Sequence, residues 1–206
     1  MNPLKEYAIA EIARCAKNLN LRRGLKLHFG NSDVDLENAD HVQKLRKVFR
    51  EASVQHMAIT VHMHASLTQH RAYGAKQAQI FLDRLLPMAT STYVQIAHFA
   101  GLGGFDDPGT DEALSVFIRT IRNHDRRMKR VYFDITNVAG FGDWESKKDL
   151  IAKRTREIGV ARVLFGSDAN FGGGVTPSKA WADFRSLPLS EAEFRAIETN
   201  VTPYVR

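Results

Sequence analysis

The side chains able to bind a metal or move a proton do not scatter along this sequence; they stand at the ends of short apolar runs. Lys26 and His28 close the first run, Gly24 to Phe29 (GLKLHF), and His62 and His64 close the second, Met57 to Met63 (MAITVHM) with the residue after it. His98 lies in the third, Tyr93 to Phe99 (YVQIAHF), Asp134 in the fourth, Val131 to Thr136 (VYFDIT), and Asp168 ends the fifth, Val163 to Asp168 (VLFGSD). If the runs are strands, their period of two puts Lys26 and His28 on one face, Thr60, His62 and His64 on one face, and Asp168 with Leu164 and Gly166. Two imidazoles and a carboxylate meeting at a point suit a borderline divalent ion such as Zn²⁺, which takes neutral histidine nitrogen and aspartate oxygen.

Each residue also has a plainer reading. His64 either backs a ligand or lines its loop. Lys26 either holds an anionic substrate or is a buried lysine paired with an aspartate, and Asp134 either orients a ligand or satisfies a backbone donor. His41, His56, His70 and His124 have no converging partner and are expected to be solvated. Gly172, Gly173 and Gly174 follow Asp168 without the spacing of a dinucleotide fingerprint or a P-loop, so they read as an active-site loop, with phosphate binding as a second reading.

What must position these groups is a repeated pattern of strand and helix. Val42, Leu45, Val48, Phe49 and Ala52, like Leu114, Phe117, Ile118 and Ile121, recur at three- and four-residue steps, the mark of amphipathic helices. Ser146 with Asp149 and Ser190 with Glu193 have capping-box spacing and predict two more helix starts. The chain reads as a helix, five βα units and a terminal helix. Alternating strands and helices imply a parallel sheet, and the C-terminal ends of all its strands then share one edge, where α/β proteins keep their sites. A strand-to-strand spacing of roughly 32 to 38 residues leaves long loops at that edge.

Composition agrees with a globular domain: 206 residues, 44% apolar and 25% charged. No apolar run approaches the roughly 20 residues of a membrane span, and the start is not signal-like. The single cysteine, Cys15, excludes an internal disulfide and a cysteine zinc site. The net charge of +6 is spread out, and its densest run, Arg119 to Arg130, reads as a solvated helix end, so no nucleic-acid partner is expected.

The runs GLKLH (24–28), VHMH (61–64), IAHFAG (96–101) and LFGSD (164–168) resemble the later strands of the amidohydrolase superfamily, nearest its amidohydrolase-related branch with the aminocarboxymuconate-semialdehyde decarboxylase-like enzymes. The resemblance runs over nearly the whole chain. It implies a (β/α)₈ TIM-type barrel with a divalent metal, zinc first, at its mouth. It matches His62 and His98 to the metal histidines of the fifth and sixth strands and Asp168 to the aspartate of the eighth. Asp168 is then both ligand and general base, and His98 or His28 stabilises the oxyanion. Lys26 and His64 fall to substrate binding.

The family's first-strand histidine pair has no counterpart, since no histidine precedes His28. The expectation is therefore a single partial domain, residues 1–206, holding the C-terminal five βα units of the barrel and lacking about 90 residues at roughly 30 per unit. The implied activity is metal-dependent hydrolysis of a C–N or C–O bond in a small-molecule substrate, weak or absent in a fragment. The alternatives are a metal-dependent decarboxylase of the same branch, and a non-enzymatic fragment or degraded paralogue. An open sheet further predicts association, as a homo-oligomer or with a complementing N-terminal chain, because the inner faces, among Ile59, Val61, Val94, Ile96 and Leu164, would be bare. Location is cytoplasmic by default, any targeting segment belonging to the absent N terminus.

Overall fold

A computed structural model describes residues 1–64, 71–169 and 175–205. His70 and Gly172 to Gly174 lie outside the described residues. Five strands, β1 (Gly24–His28), β2 (Ala58–His62), β3 (Val94–Ile96), β4 (Val131–Asp134) and β5 (Val163–Leu164), form one parallel sheet in chain order. Helix α1 (Ala8–Ala16) precedes β1, and the strands are followed in turn by α2 (Ala39–Val54), α3 (Ala75–Ile80), α4 (Pro108–Arg122), α5 (Lys148–Ile158) and α6 (Pro177–Arg185), with α7 (Glu191–Glu198) last. Five βα units between an opening and a closing helix are what the hydrophobic periodicity called for.

Local chemistry explains most of the helix starts. Asn38 accepts from the Asp40 and His41 amides at α2, and Asp107 accepts from Gly109 with Pro108 at the first position of α4. Thr176 and Pro177 do the same for α6, and Ser190 with Glu193 closes a complete capping box at α7. The expected box at Ser146 and Asp149 does not form. The Ser146 hydroxyl instead donates to the Asp143 carbonyl at 3.1 Å and carboxylate at 2.6 Å, and α5 begins only at Lys148 without a side-chain cap. Helix α3 passes into a π turn at Phe81–Leu85 and a 3₁₀ turn at Leu86–Met88, where Pro87 cannot continue the helix.

Register decides which face is dry. Leu27, Val61, Ile96, Phe133 and Val163 are aligned across all five strands, each with 0% exposure, and they join Phe49, Phe81 and Phe117 of the helical layer in one core. The alternate row, Lys26, Thr60, Gln95 and Tyr132, is exposed or half-buried. The sequence expectation of bare apolar inner faces is thus corrected: Ile59, Val61, Val94 and Ile96 belong to the dry face, Leu164, on the inner row beside Asp134, is covered as well, and the rest of that row is mostly polar. Tyr204, from the C-terminal 3₁₀ turn, lies over that face, its ring 6.4 Å from Tyr93 and its hydroxyl donating to the Gln95 side-chain oxygen. Strands β1 and β5 remain the edges of the sheet.

The basic run after α4 is tied down rather than simply solvated. Arg127 pairs with Asp125 and Asp83, Arg122 with Glu157, and Arg130 sits 5.6 Å over the Tyr93 ring.

Candidate metal and substrate site

The C-terminal ends of the strands open into a cavity of about 1020 Å³, lined by Lys26, His28, Asn31, His62, His98 and Asp168, with Leu102, Asp106, Asp107 and Phe141 at its loops. His28 and His62 face each other across the register of β1 and β2, their rings stacked 4.0 Å apart and 12° from parallel. The His98 ring stands edge-on to His62 at 5.0 Å. The three rings therefore adjoin in turn, His28 on His62 and His62 on His98.

Their hydrogen bonds fix which nitrogen is available on each. The Asn31 amide donates to His28 Nδ1 at 3.1 Å, so a neutral His28 carries its proton on Nε2 and is a donor there. His98 Nδ1 lies 2.8 Å from the Thr136 carbonyl, which can only accept; Nδ1 is therefore protonated, and in a neutral His98 Nε2 is the atom with the lone pair. His62 Nε2 is buried and, among the described residues, has no hydrogen-bond partner. Burial, with the cost of adding a positive charge beside His28, His98 and Lys26, pushes the His62 pKa down to about 2, so its imidazole stays neutral. Burial and the same neighbours also lower His28, and burial lowers Lys26 against the opposing pull of Asp134 and Asp168.

His98 does not sit on a strand, as its place in YVQIAHF suggested. Strand β3 ends at Ile96, and His98, Phe99 and Ala100 turn left-handed at φ 52, 50 and 68°. Non-glycine residues there cost on the order of 1–3 kcal/mol each, so the surroundings must hold them. Asp134 does part of this, accepting from the His98 amide at 2.9 Å and from Gln95 Nε2 at 2.7 Å. Of its two sequence readings, Asp134 takes the one that satisfies a backbone donor, and through it orients His98.

Asp168 is likewise off its strand. Strand β5 ends at Leu164, and Asp168 is an exposed residue at φ 49°, so the period-two argument that set it beside Leu164 and Gly166 does not apply. Its Oδ2 accepts from Asn137 Nδ2 at 3.0 Å. Asn137, itself at φ 52°, also accepts the Gly104 amide on its carbonyl at 2.6 Å and so joins the loops after β3, β4 and β5. Gly166 is required for that closeness, because a Cβ there would come 2.5 Å from Thr136 Oγ1. Sequence reasoning missed Asn137 and Thr136; the only signal was an asparagine, tolerant of left-handed backbone, directly after a strand.

The remaining histidines divide. His64 is buried but does not line the cavity; its Nε2 lies 2.7 Å from Asp107 Oδ2 and its ring 4.0 Å from Tyr73. His41 is not simply solvated, since its Nδ1 accepts from the Asp35 amide at 3.0 Å. His56 and His124 are exposed and occupy the left-handed residue just past α2 and α4, at φ 54 and 53°.

Among the described residues, no three His, Cys, Asp or Glu side chains are gathered closely enough to hold a metal as they stand. The chemistry of the donors nevertheless fits a divalent ion: a buried Nε2 on His62 without a partner among those residues, a free lone pair on His98 Nε2, and one Asp168 oxygen not engaged by Asn137. No helix among the described residues is long and apolar enough to cross a membrane.

Solved structures share this architecture. An amidohydrolase from Burkholderia multivorans with bound zinc superposes with a TM-score of 0.60 over 96% of this chain and 68% of its own, at 10% identity. Two structures of a 2,6-dihydroxybenzoate decarboxylase, one from Rhizobium and one complexed with 2,6-dihydroxybenzoate, match with a TM-score of 0.57 over 92% of this chain and 63% of theirs, at 14% identity. The likeness is one of fold. The chain is an α/β protein with five βα units of a TIM-type barrel, and it spans about two thirds of the length of the chains it matches. No protein-family model matches the sequence. No curated protein matches it either.

Proposed function

We propose that the site is that of an amidohydrolase-type metal-dependent hydrolase acting on a C–N or C–O bond of a small anionic molecule. The observation that carries this reading is the buried Nε2 of His62, without a partner among the described residues, beside a His98 whose Nδ1 proton is committed to Thr136. His62, His98 and Asp168 would hold the ion, zinc first, and a bound ion of that kind lowers the pKa of water toward about 7 and polarises a carbonyl. The zinc-bearing structural neighbour supports the choice of metal.

The chain's own groups then divide the work. The Asp168 carboxylate, oriented by Asn137 at Oδ2, would accept a proton from the attacking water and pass it to the leaving nitrogen or oxygen as the C–N or C–O bond breaks. The Nε2 proton of His28 is donated to the oxygen on which negative charge develops. Lys26, which lines the cavity and lies within the electrostatic reach of Asp134 and Asp168, takes the substrate's anionic group.

Decarboxylation is the second reading, favoured by the same cation at Lys26 and by the decarboxylase among the structural neighbours. Zinc binding to the chain, measured by equilibrium dialysis, and turnover of a panel of amides, esters, lactones and aromatic carboxylates test both. Loss of zinc in His62→Ala and His98→Ala is expected. Zinc binding indifferent to both substitutions would leave the non-enzymatic reading, in which β1 and β5 pair with another chain or a second copy; light scattering detects that association.

A further inference from the structure

The left-handed turn that carries His98 is held from inside the sheet by Asp134 and Thr136. It is also held at its far end, by Tyr73, His64 and Asp107. The Tyr73 hydroxyl donates to the Ala100 carbonyl at the end of the turn. The Tyr73 ring is covered by His64 at 4.0 Å, and His64 Nε2 is bound to Asp107 Oδ2 at 2.7 Å. Asp107 is itself fixed, because its other oxygen caps α4 by accepting the Gly109 amide at 2.9 Å. The first turn of α4 also packs on both ends of the arrangement: Gly109 lies against the Tyr73 carbonyl, and a Cβ on Gly101 would come 2.8 Å from Thr110.

We propose that Tyr73, braced by His64 and Asp107, is a positioning residue that aims His98 by fixing the carbonyl of Ala100. Residues in left-handed backbone hold their shape only when the surroundings over-determine them, and here the surroundings divide into an inner and an outer set of hydrogen bonds. Asp134 and Thr136 fix the start of the turn and the ring of His98; Tyr73 fixes its end. Burial keeps the Tyr73 phenol protonated, with its pKa pushed well above the ordinary value, so it remains a donor. On this view His64 braces Tyr73 and leaves substrate binding to Lys26 and His28.

The metal arm of the test rests on the reading of His98 given above; the spectroscopic arm does not. Tyr73→Phe removes the hydroxyl and keeps the ring. In nitrogen-15 histidine spectra of the full chain without metal, the single Nδ1–H signal of His98 is expected to broaden or vanish, while the signals of His28 and His62 persist. Zinc affinity is expected to fall at least tenfold in Tyr73→Phe and to fall no further when Tyr73→Phe is added to His98→Ala, because a strut acting through His98 has nothing left to aim. A wild-type His98 signal in Tyr73→Phe overturns the proposal, and so does an undiminished zinc loss in the His98→Ala background. If Tyr73→Phe does not fold, Asp107→Asn, which keeps the cap on α4 and changes the partner of His64, is judged by the same two readouts. If the wild-type protein holds no zinc, the metal reading fails, and the His98 signal alone decides the strut.

Discussion

The two sides of the site are built on different principles. On the β1–β2 side, His28 and His62 are strand residues paired in register, and their stacking at 4.0 Å follows from the sheet itself. On the β3–β5 side, His98 and Asp168 stand in left-handed turns past the strand ends, and each is aimed by a neighbour: His98 by Asp134 and Thr136, Asp168 by Asn137. A sheet places a side chain to within its pleat at no extra cost. A turn can place one where no strand reaches, but only while its partners hold it.

The difference can be pressed with substitutions of decreasing effect. Asp168→Asn should keep the fold and the His28–His62 stack while lowering turnover by roughly 10² to 10⁴-fold, the usual worth of a general base. Rates on metal-loaded protein with the zinc stoichiometry checked decide it, and retention of more than about a tenth of the activity contradicts the base role. Asp134→Ala strands the buried His98 amide and the Gln95 side chain, and is expected to cost about 2–3 kcal/mol in urea unfolding. It should disturb His98 and leave His62 in place; equal disturbance of both would erase the distinction between the two sides.

Left-handed residues away from the site offer a control in the opposite direction. His124 takes φ 53° past the end of α4, is exposed, and has no aiming duty. His124→Gly should therefore stabilise the protein by about 1 kcal/mol, seen as a higher melting temperature, since glycine pays no steric cost there. A lower melting temperature would show that this turn, too, is held by its side chain.

The smallest effect is expected at α7, where the local rule was fulfilled. The Arg156 guanidinium, together with the Ser190 amide, lowers Glu193 from 4.5 to about 2. A carboxylate whose folded pKa is depressed adds stability above 4.5 and loses it as the pH falls toward 2. Glu193→Gln should cost about 0.5 kcal/mol at neutral pH, the discounted value of an exposed pair and cap, and that cost should shrink as the pH falls below 4.5 and vanish only below about 2. Unfolding curves at the two pH values check the convergence.

The sequence by itself determined the order of five strands and their helices, because apolar periodicity is a local property that burial of one face enforces. It also determined that His28 and His62 would share an edge, since parallel strands end together. Capping chemistry was legible at Ser190, where donor and acceptor are three residues apart, and misleading at Ser146, where Asp143 offered a nearer partner. Only the tertiary structure decided the rest. Which sheet face is dry depended on the register that lines Leu27 up with Val61, Ile96, Phe133 and Val163, and alternation alone leaves that choice open. The placement of His98 and Asp168 depended on hydrogen bonds from Asp134, Thr136 and Asn137, residues some 30 to 40 positions away in the chain, and no spacing rule reaches across that distance to say where a turn will point.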